Sequence, residues 1–260
     1  MKKKLLSCVM ACVAIFGAHN AFAQGFDAGV LMPESSGGFL IGPIGGVNLV
    51  TYGTAAFPIL NSEPTCFMAE NGSGVAPFVG LSAELPLGSG MQNFIILEAI
   101  YDSKSSAFTS DNANRTDVPT KVNGETGPGN IETSVNADLT YMLLNAGYKY
   151  NFVEGPAPVG PGLSLVATVG IKLVSKLNKT VTVSAVTGSS TVTESSDVDG
   201  ASAMRISLRP MFTYDIPLSP TWIATPTVGY DLPLTQVDDT AREWTAGGAW
   251  AGVAVRYFIQ

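Results

Sequence analysis

Hydrophobic and polar residues alternate one by one along much of this chain. Within residues 162–179, Leu163, Leu165, Ala167, Val169, Ile171 and Leu173 share one parity, and Ser164, Val166, Thr168, Gly170, Lys172 and Val174 share the other. Successive residues of a strand point to opposite faces, so one face is apolar and the other is mixed, small and cationic. A helix would scatter the same apolar residues around its circumference. The same grammar places Met142, Leu144, Ala146, Tyr148, Tyr150 and Phe152 opposite Asn145, Gly147, Lys149 and Asn151. It sets Met204, Ile206, Leu208, Phe212, Tyr214 and Ile216 against Arg205, Ser207, Arg209, Thr213 and Asp215. Shorter runs set Leu81 and Ala83 against Glu84, Leu97 and Ala99 against Glu98, and Val228 and Tyr230 against Asp231. With glycine-rich first (39–52) and last (244–259) runs, about eight strands are predicted by the period-two test.

Two architectures use such strands. A soluble sandwich or lipocalin-like barrel turns the apolar face inward; a membrane barrel turns it outward, toward lipid. Periodicity alone does not choose between them. The polar face carries Glu84, Glu98, Lys149, Lys172, Arg205, Arg209, Asp215, Asp231 and Arg256, both signs among small residues, which suits a crowded interior of paired charges better than a solvated face. The connections also alternate in length. Segments 53–74, 103–134 and 180–202 are long loops by this reading, whereas 86–90 (PLGSG) and 217–220 (PLSP) are tight turns. Long external loops and short periplasmic turns characterise outer-membrane barrels. Finally, Tyr148, Tyr150, Phe152, Tyr214, Trp222 and Tyr257 gather near the short-turn end of the outward face, as an interfacial girdle would. The expected fold is all-β: an eight-stranded antiparallel up-and-down transmembrane β-barrel.

The ends of the chain add a location. Lys2, Lys3 and Lys4 precede an apolar run (5–17), and Ala21-Phe22-Ala23 fits a small-x-small cleavage site. The expected organisation is a signal peptide at 1–23, a linker at 24–37 and the barrel at 38–260. The apolar run is too short to span a membrane as a helix. Loss of the leader removes His19, the only histidine, together with Cys8 and Cys12, and leaves Cys66 without an internal disulfide partner. The three leader lysines leave 11 of the 14 basic residues against 21 acidic ones, a formal charge of −10. An acidic exported chain is a poor nucleic-acid binder.

Residues 76–105 (APFVGLSAELPLGSGMQNFIILEAIYDSKS) resemble the second hairpin of small outer-membrane β-barrels of the porin-family, OmpA/OmpX-like type. TYMLLNAGYKYNF followed by GLSLVATVGIKLVSK resembles its middle hairpin, and WAGVAVRYFIQ its closing strand. The resemblance implies an eight-stranded barrel in the cell outer membrane, in contact with its lipid and delivered by the barrel-assembly machinery. The end of the chain departs from the family habit of a terminal aromatic: Phe258 is followed by Ile259 and Gln260. With Arg256 facing in, Tyr257 and Ile259 face lipid, and recognition by that machinery would rest on them. Pro210 and Pro226 stand inside strands, where a shared bulge is expected to accommodate them.

Chemistry is sparse. Without histidine in the mature chain, Ser-His and Cys-His dyads are excluded, no zinc set stands out, and no phosphate or dinucleotide fingerprint is present. No enzyme activity and no cofactor are expected. A structural or surface-interaction barrel leads. A narrow porin for small solutes and a soluble secreted barrel binding an apolar ligand are the alternatives. Within the barrel, Glu84 or Glu98 is expected to pair with Arg205 or Arg209.

Overall fold

In a computed structural model of the chain, residues 38–53, 57–58, 68–69, 71–88, 91–108, 114–122, 125–155, 157–185, 188–198, 200–238 and 244–259 are described. The leader, the linker with residues 25–32, and Cys66 lie outside them. The strands are β1 (Phe39–Gly53), β2 (Phe57–Pro58), β3 (Met68–Ala69), β4 (Gly72–Pro86), β5 (Asn93–Ser103), β6 (Ser106–Phe108), β7 (Asn114–Val122), β8 (Glu125–Asn151), β9 (Gly160–Ala185), β10 (Gly188–Asp197), β11 (Met204–Pro217), β12 (Trp222–Pro233) and β13 (Thr245–Ile259).

Every pairing is antiparallel, and the long strands pair in a circuit. β1 pairs β4, β4 pairs β5, β5 pairs β8 and β8 pairs β9. β9 then pairs β11, β11 pairs β12, β12 pairs β13, and β13 returns to β1 with Phe39 opposite Ile259. A closed circuit leaves no sheet edge in this part of the molecule. The glycine-rich first and last strands fit here because two glycines face the same ring. A Cβ on either Gly46 or Gly252 would come within 2.7 Å of Phe78 Cζ.

Burial follows the alternation, with apolar side chains outside. Leu81, Leu97, Leu144 and Leu165 are 58, 46, 51 and 55% exposed, while Glu84, Lys149 and Arg209 on the same strands or their neighbours are at most 1% exposed. Tyr150 and Phe152 contact edge to face at 5.8 Å, and Trp222 and Tyr257 at 5.2 Å, near the short-turn end. A second outward aromatic level was not read from the sequence. Tyr230 lies eight residues beyond Trp222 on β12, and Tyr101 lies eight beyond Asn93, the residue opposite Tyr150. Eight residues at a strand's rise and a tilt of roughly 40° span roughly 20 Å, close to the ~25 Å apolar band of such walls.

Three expectations need correction. The segments 103–134 and 180–202 are not mainly loops, because β6, β7, the first part of β8, the end of β9 and β10 occupy them. There β7 pairs β8, β8 pairs β9 and β9 pairs β10, forming a sheet that continues beyond the circuit. The Thr- and Val-rich sequence suits strands on β propensity, and along β8 it still alternates but in the opposite sense, with Ile131, Val135, Ala137 and Leu139 buried and Glu132, Ser134 and Asn136 exposed. Second, Val174 does not share the inner face. A register shift between Thr140 and Tyr141 of β8 passes over Leu173, and Leu173 and Val174 are both exposed. The parity of β9 flips at this bulge, so beyond it Leu177 and Lys179 are the buried residues. Third, Pro210 and Pro226 share no bulge. The register is unbroken on either side of them, with Leu208 opposite Leu232, Met211 opposite Gly229 and Ile216 opposite Ala224.

Candidate functional site: the charged interior

The inner face of the circuit is stacked in layers. At the short-turn end, Leu40, Met91, Phe94, Ala157, Ile223 and Phe258 form a buried apolar plug. Phe258 therefore points inward, while Tyr257 and Ile259 face out at 40 and 38% exposure.

Above the plug lies a lower ionic tier built by β4, β8, β11 and β13. Lys149 Nζ reaches Glu84 Oε2 at 3.0 Å and Asp215 Oδ2 at 2.6 Å. Arg256 Nη1 reaches Glu84 Oε1 at 3.0 Å and also donates to Thr225 Oγ1 at 2.9 Å. Thr225 in turn donates to Asp215 Oδ1, and Asn151 Nδ2 to Asp215 Oδ2. Lys149 also stands 5.2 Å from the centroid of the Phe94 ring, which joins this tier to the plug. Two cations meet two carboxylates, each carboxylate further held by neutral donors or a second cation. Burying charges in this way is tolerated only where such partners satisfy them.

An upper tier repeats the arrangement nearer the long-segment end. Lys104 Nζ lies 3.4 Å from Asp102 Oδ2 and 3.0 Å from Asp231 Oδ2, and Arg205 Nη2 lies 2.8 Å from Asp231 Oδ2. Asn48 donates to Asp102 Oδ1 at 2.8 Å and accepts from Lys104 at 3.2 Å. Arg205 also donates to the Ala246 carbonyl and sits 5.8 Å from the Tyr141 ring centroid. Over this tier Tyr52, Phe108 and Trp244 pack tilted and edge to face with centroids 5.2 to 5.4 Å apart, and the Tyr52 hydroxyl donates to the Lys104 carbonyl. Val135, Ala137, Leu139 and Leu177 complete this second apolar plug.

Between the tiers are a carboxyl and a guanidinium group with weaker company. Glu98 accepts from Asn145 Nδ2 at 2.8 Å and from Ser82 Oγ at 3.2 Å. Arg209 lies 4.5 Å from the Trp250 ring centroid.

The nine charges singled out in the sequence are therefore placed as follows. Glu84, Lys149, Asp215 and Arg256 form the lower tier, Arg205 and Asp231 belong to the upper one, and Glu98 and Arg209 lie between. Lys172 stands apart: it is half-buried at the bulge and donates to the Ala201 carbonyl at 2.8 Å. The pairing expected of Glu84 or Glu98 with Arg205 or Arg209 does not form. Arg205 is taken by Asp231, and Glu84 by Lys149 and Arg256, because the register puts those partners at the same level. Asp102 and Lys104 were missed. Ending the run at Tyr101 hid them, yet the inward parity continues from Glu98 through Ile100 to Asp102. No group of His, Cys, Asp and Glu able to hold a metal occurs among the described residues.

No family model matches the sequence, and no curated protein matches it. Among solved structures, it is similar to Ail, the attachment invasion locus protein of Yersinia pestis, solved with the heparin analogue sucrose octasulfate (11% identity, TM-score 0.34, covering 85% of this chain and 99% of that one). It is also similar to Neisserial surface protein A (10%, TM-score 0.38, 85% and 97%). A third is the outer membrane protein OprG from Pseudomonas aeruginosa (10%, TM-score 0.43, 88% and 99%). Of these three, OprG is by name an outer membrane protein.

Proposed function

We propose that the chain is an eight-stranded up-and-down transmembrane β-barrel of the outer membrane that makes contacts at the cell surface and catalyses no reaction. The observation that carries this reading is its inverted burial: ten charged side chains of the two tiers and the space between them are buried, while an outward band of Leu, Val and Ile lies between two aromatic levels. Soluble monomers rarely expose so large a continuous apolar surface, and a soluble barrel for an apolar ligand would turn these residues inward. Eight long strands make up the circuit, and at that number side chains fill the interior.

The sheet of β7, β8, β9 and β10 supports the surface role. It rises on the side of the long segments, and β10 is exposed along almost its whole length. Its outer residues are hydroxyl-rich, with Thr180 bonded to Thr193 and Thr182 to Thr191. Such a surface makes polar contacts outside the cell. The two apolar plugs and two ionic tiers argue against the narrow-porin reading.

The test combines topology with conduction. In a Cys66→Ser background, Ser189→Cys should react with an impermeant thiol reagent on whole cells, and Leu218→Cys, in the β11–β12 turn, should not. The refolded protein should give only small or rare conductance steps in planar bilayers. Labelling at 218 alone would invert the topology. Large, long-lived conductance would transfer the role to solute passage.

A further inference from the structure

The outer sheet has two edges, and they differ. β7 carries Arg115, Asp117, Pro119 and Lys121 in its sequence and a register shift between Arg115 and Val118. Charge, proline and bulges are the devices that keep an edge strand from pairing with another chain. β10 has neither lysine nor proline, and its only charges, Glu194 and Asp197, lie toward the wall. Its pairing with β9 runs without a shift from Gly188 opposite Ala185 to Asp197 opposite Lys176. No other strand among the described residues pairs with it. Val198 N donates to the Ser175 carbonyl in the same register, so the even-numbered residues of β10 turn their main-chain groups to β9. Those of Ser189, Thr191, Thr193 and Ser195 point away, a row of donors and acceptors along an open edge.

The side chains select what fits there. Cross-strand partners share a face, and Val192 stands opposite Val181, which stands opposite Thr133. Thr133 is on the buried face of β8 with Ile131 and Val135. That face therefore runs from β8 through half-buried Val181 to Val192, which is 55% exposed at the edge. A further strand with an apolar residue opposite Val192 would continue the row. The β10 strand of a second copy supplies one. Laid antiparallel with Val192 opposite Val192, it sets Thr191 opposite Thr193 and Ser189 opposite Ser195, the residues whose main-chain groups point outward. Glu194 then meets Ser190, and Asp197 lies past Gly188, so no acid meets an acid.

We propose that β10 is a homotypic contact strand: the outer sheets of two copies join edge to edge through it, about a twofold axis at Val192. This rests on the surface role proposed above. β9 runs from Gly160, paired within the wall, out to Ala185, and β10 returns toward the wall. Antiparallel pairing therefore points the two barrels at each other, from facing membranes. Copies side by side in one membrane would meet with β10 parallel, outside this register. One joint of roughly eight main-chain hydrogen bonds is weak, and many joints between two surfaces hold by multivalency.

Phosphatidylcholine vesicles carrying the full-length mature protein are the probe. They should cluster, read by light scattering, while the same protein in detergent micelles stays monomeric at the same concentration. Val192→Lys and Val192→Glu should each slow clustering about tenfold or more, because like charges then meet at the axis, and mixing the two kinds of vesicle should restore it. Ser195→Pro removes an outward N–H without touching the β9 ladder and should slow clustering too. Heat-modifiable gel mobility confirms that each variant is folded. Equal clustering of wild type and Val192→Lys overturns the inference. So does loss in both charge variants that mixing does not restore, which would give the edge to an unlike partner. Wild-type vesicles that stay dispersed, while Ser189→Cys in the Cys66→Ser background is labelled on whole cells, overturn the inference and leave the surface role standing. Ser189→Cys unlabelled on cells overturns both.

Discussion

β8 and β9 run through two settings, and the same pair of strands is held together differently in each. From Met142 to Asn151 and from Gly162 to Ile171 they belong to the wall, apolar outside and polar or charged inside. From Gly129 to Asn136 and from Asn178 to Ala185 they form the core of the outer sheet, where the division is reversed on β8, with Ile131 and Val135 buried and Asn130, Glu132 and Ser134 exposed. In the wall, lipid on one side and a packed interior on the other penalise every side chain on the wrong face. In the outer sheet water reaches the surface, and backbone pairing with cross-strand side-chain contacts carries the structure. The bulge at Leu173 marks the transition and changes which parity of β9 is buried.

The largest expected difference comes from removing a cation. Lys149→Met leaves Glu84 and Asp215 short of their shared partner and should cost about 3–5 kcal/mol by urea unfolding in lipid vesicles. Lys176→Met, in the outer sheet between Asp138 and Asp197 on the neighbouring strands, should cost no more than ~1 kcal/mol. Equal effects would mean that the lower tier is solvated.

The next comparison exchanges a neutral side chain for a charge. Leu97 lies midway between Asn93 and Tyr101 on β5 and faces outward. Leu97→Arg places a cation near the middle of the apolar band and should cost about 2–4 kcal/mol. Val192→Arg, on the exposed β10, should shift stability by at most ~0.5 kcal/mol. Heat-modifiable gel mobility, read alongside unfolding, shows whether each variant still assembles.

These contrasts also mark what the sequence made legible. Alternation identified the wall strands and the inward parity of Glu84, Glu98, Lys149, Arg205 and Arg209, because a two-sided environment imposes period two. The same reasoning passed over the outer sheet. There the alternation along β8 runs the other way, with Ile131, Val135 and Ala137 in and Glu132, Ser134 and Asn136 out, and its Asn-, Ser- and Thr-rich composition reads as a loop. Charge partners were hidden for another reason. Lys149 meets Asp215 across three strands, and that neighbourhood depends on the register of each pairing, which no local pattern reports. Asp102 and Lys104 were lost because a run of apolar residues ended before them.

The smallest effect is confined to the outer sheet. Thr182→Ala removes the hydroxyl contact with Thr191 and should cost only about 0.2–1 kcal/mol. It should leave the wall unchanged, and amide exchange of β9 should accelerate near residue 182 but not near Val166. Faster exchange in both places would show that the outer sheet and the wall open as one unit.

Everything above requires the apolar face to look outward into lipid and the charged face inward. Nitroxide labels placed singly at residues 94–101 of β5, in protein reconstituted in lipid vesicles, test it directly. Collision with oxygen should be high at 95, 97, 99 and 101 and low at 94, 96, 98 and 100, with water-soluble nickel reagents excluded from the outward set. High oxygen collision at 98 with low values at 97, or ready access of the nickel reagent to 95, 97 and 99, would contradict it.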